Sequence, residues 1–413
     1  MDSCFEQFIL NNGLRVIIKR NNDVNVVTVN VLYNVGSKND FTGKFGLAHL
    51  YEHLMFCGSQ NAKSYDEILQ TAGGSNNAYT NFDVTNYYCT TPCENLETAI
   101  FLEADRMFGL NVNEDNLAVQ KKVVIEELKE SYFSNPYGDA FLHLMPLAYD
   151  KQSGYGHPII GNSEHIQSVT LDDIYKFSNT YYRPNNAILV IVGNVELDHV
   201  RNLCDKYFNR HVDDCEMISY NADDQPITGM VEYVKRDIPL DAFYLAYHIP
   251  GKLDEDYYTT MVLSKMLGYG RSSFLYRQLV ENRKLCNSIE TYTLDNMYMD
   301  LLIVTGFVNM KYNCNEVVDI IQNLLHNVTD NFSEHEVEKS KNNITSSIAY
   351  DSVDVANYAD IVANLAAVNE TLISFYDNVN SVTMQGVVDL VHSTLLQKNS
   401  SRLVYERSGV TTG

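Results

Sequence analysis

Between Gly46 and Ser59 the chain reads GLAHLYEHLMFCGS. Two histidines and a glutamate fall within five residues of an otherwise apolar segment. Buried polar groups cost free energy unless something satisfies them. On a helix, His49 and His53 stand one turn apart on one face, and Glu52 lies on the same side. Leu47, Leu50, Tyr51, Leu54, Met55 and Phe56 make the rest of the segment apolar, so burial is expected. Two imidazoles at this spacing can bind one zinc ion through neutral nitrogens. A carboxylate beside them can accept a proton from water that the metal has made acidic. The competing reading is a buried helix with two hydrogen-bonded histidines. The apolar surroundings favour the metal, because three unsatisfied polar side chains are costly there.

A catalytic zinc takes a third protein ligand and keeps one position open. The stretch VQKKVVIEELKES offers Glu126, Glu127 and Glu130. The apolar stripe of the helix that contains it includes Leu117, Val124 and Leu128. Glu127 flanks that stripe, whereas Glu126 points more towards solvent. From the residues alone, a solvated acidic run remains open for each of them.

The surrounding pattern predicts α+β architecture. FILNNGLRVIIKRNNDVNVVTVNVLYNVGS alternates strand-like runs with NNG and NND turns. SYDEILQTAG carries helix start and stop signals, and SNNAYTNFDVTNYYCTTP returns to alternation. Two amphipathic helices follow, then a Gly/Pro-rich loop from Asn135 to Gly161, a capped helix at TLDDIYKFSNTYY and the strand AILVIVGNV. Beyond a polar, acidic stretch the order of strands and helices recurs, without a second HLYEH. The division expected is 1–210 for a metal-binding domain, 211–230 for a linker and 231–413 for a homologous domain without metal.

Composition narrows the class. The chain has 413 residues, 45% of them hydrophobic, which suits two globular domains. A net charge of −23 argues against a nucleic-acid binder and is compatible with basic ligands or simply with solubility, a solvated acidic surface being the preferred reading. The run AILVIV is far too short to cross a bilayer, so no membrane partner is expected. The N-terminal residues read as folded protein without a secretion signal, which predicts a cytoplasmic location. Eight cysteines with no CxxC pair predict reduced thiols.

GLAHLYEHLMFCGS, GGSNNAYTNFDVTNYY, VVIEELKES and GHPIIGNSEHIQSVTLDDIYKFSNTYYRPNNAILVIVGNV occur in the order found in pitrilysin-type zinc metallopeptidases, the HxxEH inverzincins. The length is similar to subunits of mitochondrial processing peptidase and their bacterial relatives. The resemblance spans nearly all of the first domain and returns at LGYGRSSFLYRQLVENRKL. It implies tandem α/β sandwich domains, each an antiparallel-rich sheet with helices on one face, which together form half of a clamshell. It implies one Zn²⁺ per chain on His49, His53 and Glu127, with Glu52 as general base. It also implies peptide substrate added as a strand along Asn76 to Thr80, where Asn77, Ala78 and Tyr79 are the expected contacts.

Two positions depart from the family pattern. Gln120 stands where a second glutamate is usual, seven residues before Glu127, and so alters the shell behind the ligands. Val280 and Asn287 stand where single-chain members carry an arginine and a tyrosine that hold substrate; Arg277 and Arg283 lie three residues to either side of Val280. The expectation is a zinc endopeptidase or oligopeptidase acting in a dimeric chamber. This chain would be the metal-bearing half of a heterodimer whose sister supplies the Arg/Tyr pair, with a homodimer using Arg277 or Arg283 as the simpler arrangement. The rival expectation is a non-catalytic structural or targeting subunit.

Overall fold

The strand-like runs and helical periods of the sequence assemble into two sheets with one shared topology. The computed structural model describes residues 5–211, 226–395 and 399–408. The first sheet contains β1 (Phe5–Ile9), β2 (Arg15–Arg20), β3 (Val26–Tyr33), β4 (Ser75–Thr80), β5 (Thr85–Pro92) and β6 (Ala187–Gly193), in the order β1-β2-β6-β3-β5-β4. The second contains β7 (Val231–Arg236), β8 (Ala242–Pro250), β9 (Cys286–Thr293), β10 (Met299–Val308) and β11 (Ser400–Arg407), in the order β7-β11-β8-β10-β9. With β1 set aside, the two orders are the same. The first and last strands pair in parallel, β2 with β6 and β7 with β11. Every other pairing is antiparallel. This is the duplicated, antiparallel-rich α/β sandwich that the recurring element order predicts.

Each unit draws on both halves of the chain. One consists of residues 1–128, 158–221 and 349–372, and the other of 129–157, 222–348 and 373–413. In the first, Val27, Val29, Val31 and Tyr33 of β3 point to one face, against the helix Leu96–Gly109, and the HLYEH helix (Leu47–Leu54) packs by β4. The opposite face, with Thr28 and Asn30, is covered by the helix Val355–Ala367. Ala359, Ala363 and Ala366 are buried on that helix, and such small side chains let it lie close on β3 and β6. In the second unit the helix Ala140–Ala148 packs in the matching place, on β11 and β8. The exchange is thus reciprocal. The expected linker at 211–230 falls largely on residues 212–225, outside those described.

Several elements differ from the sequence reading. The Gly/Pro-rich stretch after Asn135 contains the helix Ala140–Ala148, with Pro146 near its end. There the missing N–H costs one bond, while Leu144, Met145 and Leu147 are buried. β9 and β11 were not anticipated. The six described cysteines are free thiols. No helix among the described residues is long and apolar enough to cross a membrane.

Candidate metal centre

The HLYEH helix divides its residues cleanly. Leu47, Ala48, Leu50, Tyr51 and Leu54 are buried in the core, which leaves His49, Glu52 and His53 on the remaining side. Its start is fixed from outside. Asp40 accepts the N–H groups of Gly46 (2.6 Å) and Ala48 (2.8 Å), two donors with no partner within the helix. Gly46 adopts φ +97°, and a Cβ there would lie 2.6 Å from the Ile160 carbonyl oxygen, so only glycine fits. Tyr51 donates to Ser178 Oγ (2.7 Å) and stacks on Tyr182, anchoring the helix from behind.

Beyond the helix end, Phe56 joins Tyr65 and Tyr87 around the buried guanidinium of Arg106, at 4.5 to 5.1 Å from the ring centroids. Arg106 also forks onto Glu103 (2.9 and 2.6 Å). This cation, caged by rings and paired, fixes the chain where it leaves the HLYEH helix.

The third partner comes from the helix Glu114–Leu128, which buries Leu117, Val124, Ile125 and Leu128. Glu126 and Glu130 are exposed, and Glu127 turns to the histidines. Its carboxylate oxygens lie 3.4 Å from His53 Nε2 and 3.8 Å from His49 Nε2. One donor atom from each of His49, His53 and Glu127 lies within 4.8 Å of the others. The two imidazole planes are nearly perpendicular, at 85°.

These residues fit a metal. His49 Nδ1 is buried without a hydrogen-bond partner, and the 3.8 Å from Nε2 to Glu127 is too long for a hydrogen bond. An ion at Nε2 would give that nitrogen the partner that Glu127 is too far away to be. Two imidazole nitrogens and one carboxylate oxygen are a donor set of catalytic zinc, with a position left open. At His49 the electrostatics point the same way. Burial pulls His49 down to about 4, so it is neutral and able to coordinate at physiological pH. Burial also works against charge on His53, but Glu127, Glu52 and Gln120 outweigh it and raise its pKa. The hydrogen bond with His53 lowers Glu127.

Glu52 lies beside this cluster. Burial raises its pKa, opposed by a 2.5 Å hydrogen bond from Thr80 Oγ1 and by the His53 charge. Gln120, seven residues before Glu127, lies near both His53 and Cys57, raising the pKa of the imidazole and lowering that of the thiol against its burial. Sequence reasoning missed Thr80 and Asp40 as partners of this site. Alternation along β4 offered a signal for Thr80, whereas nothing local marks Asp40.

Along β4 the side chains separate. Asn76, Ala78 and Thr80 share the face of the HLYEH helix, where Asn76 bonds Asp66. Asn77 and Tyr79 point to the other face. The Tyr79 hydroxyl donates to Asp360 (2.7 Å) and accepts from Asn364 (2.8 Å) of the helix Val355–Ala367. The Tyr79 side chain is therefore committed to the fold, and its backbone is what the strand edge offers. β4 ends the sheet, with no strand on its outer side among the described residues. In the second unit Val280 lies in the short π-helical segment Arg277–Asn282, and Asn287 is exposed on β9. Arg277 is paired with Glu336 at 2.7 Å.

Known proteins resemble this chain along most of its length. Residues 15–156 match the family model described as insulinase (peptidase family M16), and residues 168–344 match that of the peptidase M16 inactive domain. The chain is 31% identical to the zinc protease PqqE of Helicobacter pylori, over 93% of its own length and 85% of that protein. It is 22% identical to the probable mitochondrial-processing peptidase subunit beta of Arabidopsis thaliana, over 96% of this chain and 76% of the relative. A crystal structure of a protease from Helicobacter pylori superposes with a TM-score of 0.90 at 27% identity, covering 98% of this chain and 99% of that one. With its HxxEH helix, its duplicated sheet topology and this relatedness along almost the whole length, the chain belongs to the M16 family of peptidases.

Proposed function

We propose that this chain is a zinc-dependent peptide hydrolase and that His49, His53 and Glu127 hold one zinc ion. The observation that carries the reading is the convergence of those three donor groups with Glu52 beside them. Bound zinc would lower the pKa of water and polarise a substrate carbonyl. Glu52 is the general base: it takes the proton from the attacking water and returns it to the leaving amine. Thr80 holds the Glu52 carboxylate in place through its hydroxyl. Extended peptide pairs with the open edge of β4, where the backbone of Asn77, Ala78 and Tyr79 supplies the hydrogen bonds.

We further propose that the working form is a heterodimer. Val280 and Asn287 supply no cationic or phenolic clamp, and Arg277 is engaged by Glu336. A peptide left unclamped is poorly oriented for attack. The sister subunit would bring an Arg/Tyr pair.

The test of the hydrolase reading is Glu52→Gln. The amide is nearly isosteric and cannot accept the proton. The variant should keep one zinc per chain and lose about 10² to 10⁴-fold in turnover of an unstructured peptide. Near-parental hydrolysis by the zinc-loaded variant would refute the role of Glu52.

A further inference from the structure

The helix Leu96–Gly109 and the residues that follow it face the helix Leu171–Tyr181 across a cavity of about 290 Å³. That is at the lower end of the roughly 300–1,000 Å³ of small-molecule sites. Its whole lining belongs to the first unit. The floor is apolar: Met107, Val112, Ile174 and Tyr182 are buried. The Tyr182 hydroxyl is engaged with that of Tyr87 (3.1 Å), which leaves the ring as wall. The rim is more polar. The Tyr175 hydroxyl donates to the Val112 carbonyl oxygen (2.8 Å) and so ties the two sides together, and Asn179 is exposed beside it.

Arg183 supplies the one charge, and the lining contains no acid. One Nη of Arg183 donates to the Asn179 carbonyl oxygen (3.2 Å), and its Nε is sealed from solvent, so the guanidinium is held in place. A second cation, Arg210, lies over the ring of the wall residue Phe108, at 5.1 Å. In a chain of net charge −23, a cavity with a cation and no carboxylate is a local exception. The Ser178 hydroxyl accepts from Tyr51 (2.7 Å) and has no acceptor for its own proton among the described residues.

A buried apolar floor beneath a fixed guanidinium and a hydroxyl donor selects an anion with an apolar body. A carboxylate matches best: it takes two parallel bonds from one guanidinium and brings a single charge, whereas a phosphate dianion would leave one charge uncompensated. There is room for about ten non-hydrogen atoms, at the ~30 Å³ that each water occupies in the liquid. The walls also hold the HLYEH helix. Ser178 and Tyr182 anchor its Tyr51, through the hydroxyl bond and through ring stacking at 4.0 Å between centroids. The opposite wall grips the chain just beyond it, where the Asn111 N–H donates to the Gly58 carbonyl oxygen (3.1 Å) and the Gln60 N–H to that of Gly109 (2.7 Å). We propose that this cavity binds a small carboxylate with an apolar body, and that filling it steadies the HLYEH helix from behind. The site stands without the hydrolase reading; if that reading holds, it is a regulatory site of the enzyme.

The test is calorimetry on the whole chain with hydrocinnamate and its neutral amide. The acid should bind at least about tenfold tighter. Acetate, which lacks the apolar body, should not bind at the same concentrations. The diffuse negative charge of the chain repels anions, so a preference for the acid has to be local. Arg183→Gln should abolish the preference and Arg183→Lys should keep part of it. Asn179→Trp, at an exposed rim position that the fold does not depend on, should block both ligands. With the acid bound, hydrogen exchange should slow at the amides of residues 51–58. Equal binding of acid and amide, a preference that survives Arg183→Gln, binding untouched by Asn179→Trp, or exchange at 51–58 unchanged by bound acid overturns the proposal.

Discussion

Replacing Thr80 by valine removes one hydroxyl and keeps the shape of the side chain. That hydroxyl donates a 2.5 Å hydrogen bond to Glu52 Oε2. Burial already raises Glu52, and this bond is the foremost group opposing the rise. A hydrogen bond to a charged group contributes about 1.5–3 kcal/mol. At 1.4 kcal/mol per tenfold, its loss shifts the ratio of ionised to protonated Glu52 by roughly ten- to a hundredfold towards the acid. A general base must be ionised, so raising its pKa moves the acid limb of the kcat/KM profile to higher pH. Well above that limb, the rate should return close to the parental value. Thr80→Ser keeps a donor and should restore most of the parental profile. The assay is hydrolysis of a quenched fluorescent peptide across pH, with zinc content measured on the same samples. A zinc-loaded Thr80→Val chain with an unmoved acid limb would refute the reasoning, and so would a serine variant as impaired as the valine one.

Other expectations concern the metal and the partner. His53→Ala should lose zinc and keep its fold, since the ion serves chemistry in a large domain; Glu127→Ala should weaken zinc while Glu126→Ala leaves it unchanged, as read by metal analysis after dialysis. Zinc affinity should fall with acidification in two stages. Imidazolium cannot coordinate, His53 has a raised pKa and His49 is near 4, so His53 protonates first and His49 only in strong acid; competition with a chelator across pH would reveal the order. The isolated chain should hydrolyse peptides weakly and gain strongly from a sister chain carrying Arg-x₆-Tyr, whereas full activity alone would exclude the heterodimer.

The parts of this molecule that depend on neighbours in sequence were legible before the structure. The HLYEH helix, its polar trio on one side and the β4–β5 hairpin each follow from periodicity over a few residues. The choice of Glu127 over Glu126 needed the resemblance, because both sit in one acidic run. What depends on distant segments was hidden. β11 is a strand because β7 and β8 flank it on both sides, not because SSRLVYER reads as one. The helix Ala140–Ala148 was masked by the Gly/Pro content around it, and its helicity rests on packing against β11 and β8. The fate of Tyr79 was also invisible, since Asp360 lies 281 residues further on. Asp40 reached the helix start from six residues away, beyond the reach of a capping motif.

The exchange of helices has a consequence for synthesis. The strands of the first sheet are complete once β6 has emerged at Gly193, but the helix over its second face begins only at Val355. Translation at about 5–20 residues per second separates these events by roughly 10 to 30 s. During that interval the nascent sheet has one bare face. On it lie Thr28, Asn30, Asn86 and Thr90, a polar band unusual beneath a helix, and Asn30 keeps both amide atoms without a partner even when covered. Water can serve those groups while the sheet waits. A uniformly apolar face would instead have invited association between neighbouring chains on a polysome. The unpartnered amide of Asn30 is thus a group that water can serve before the helix arrives and that nothing serves afterwards.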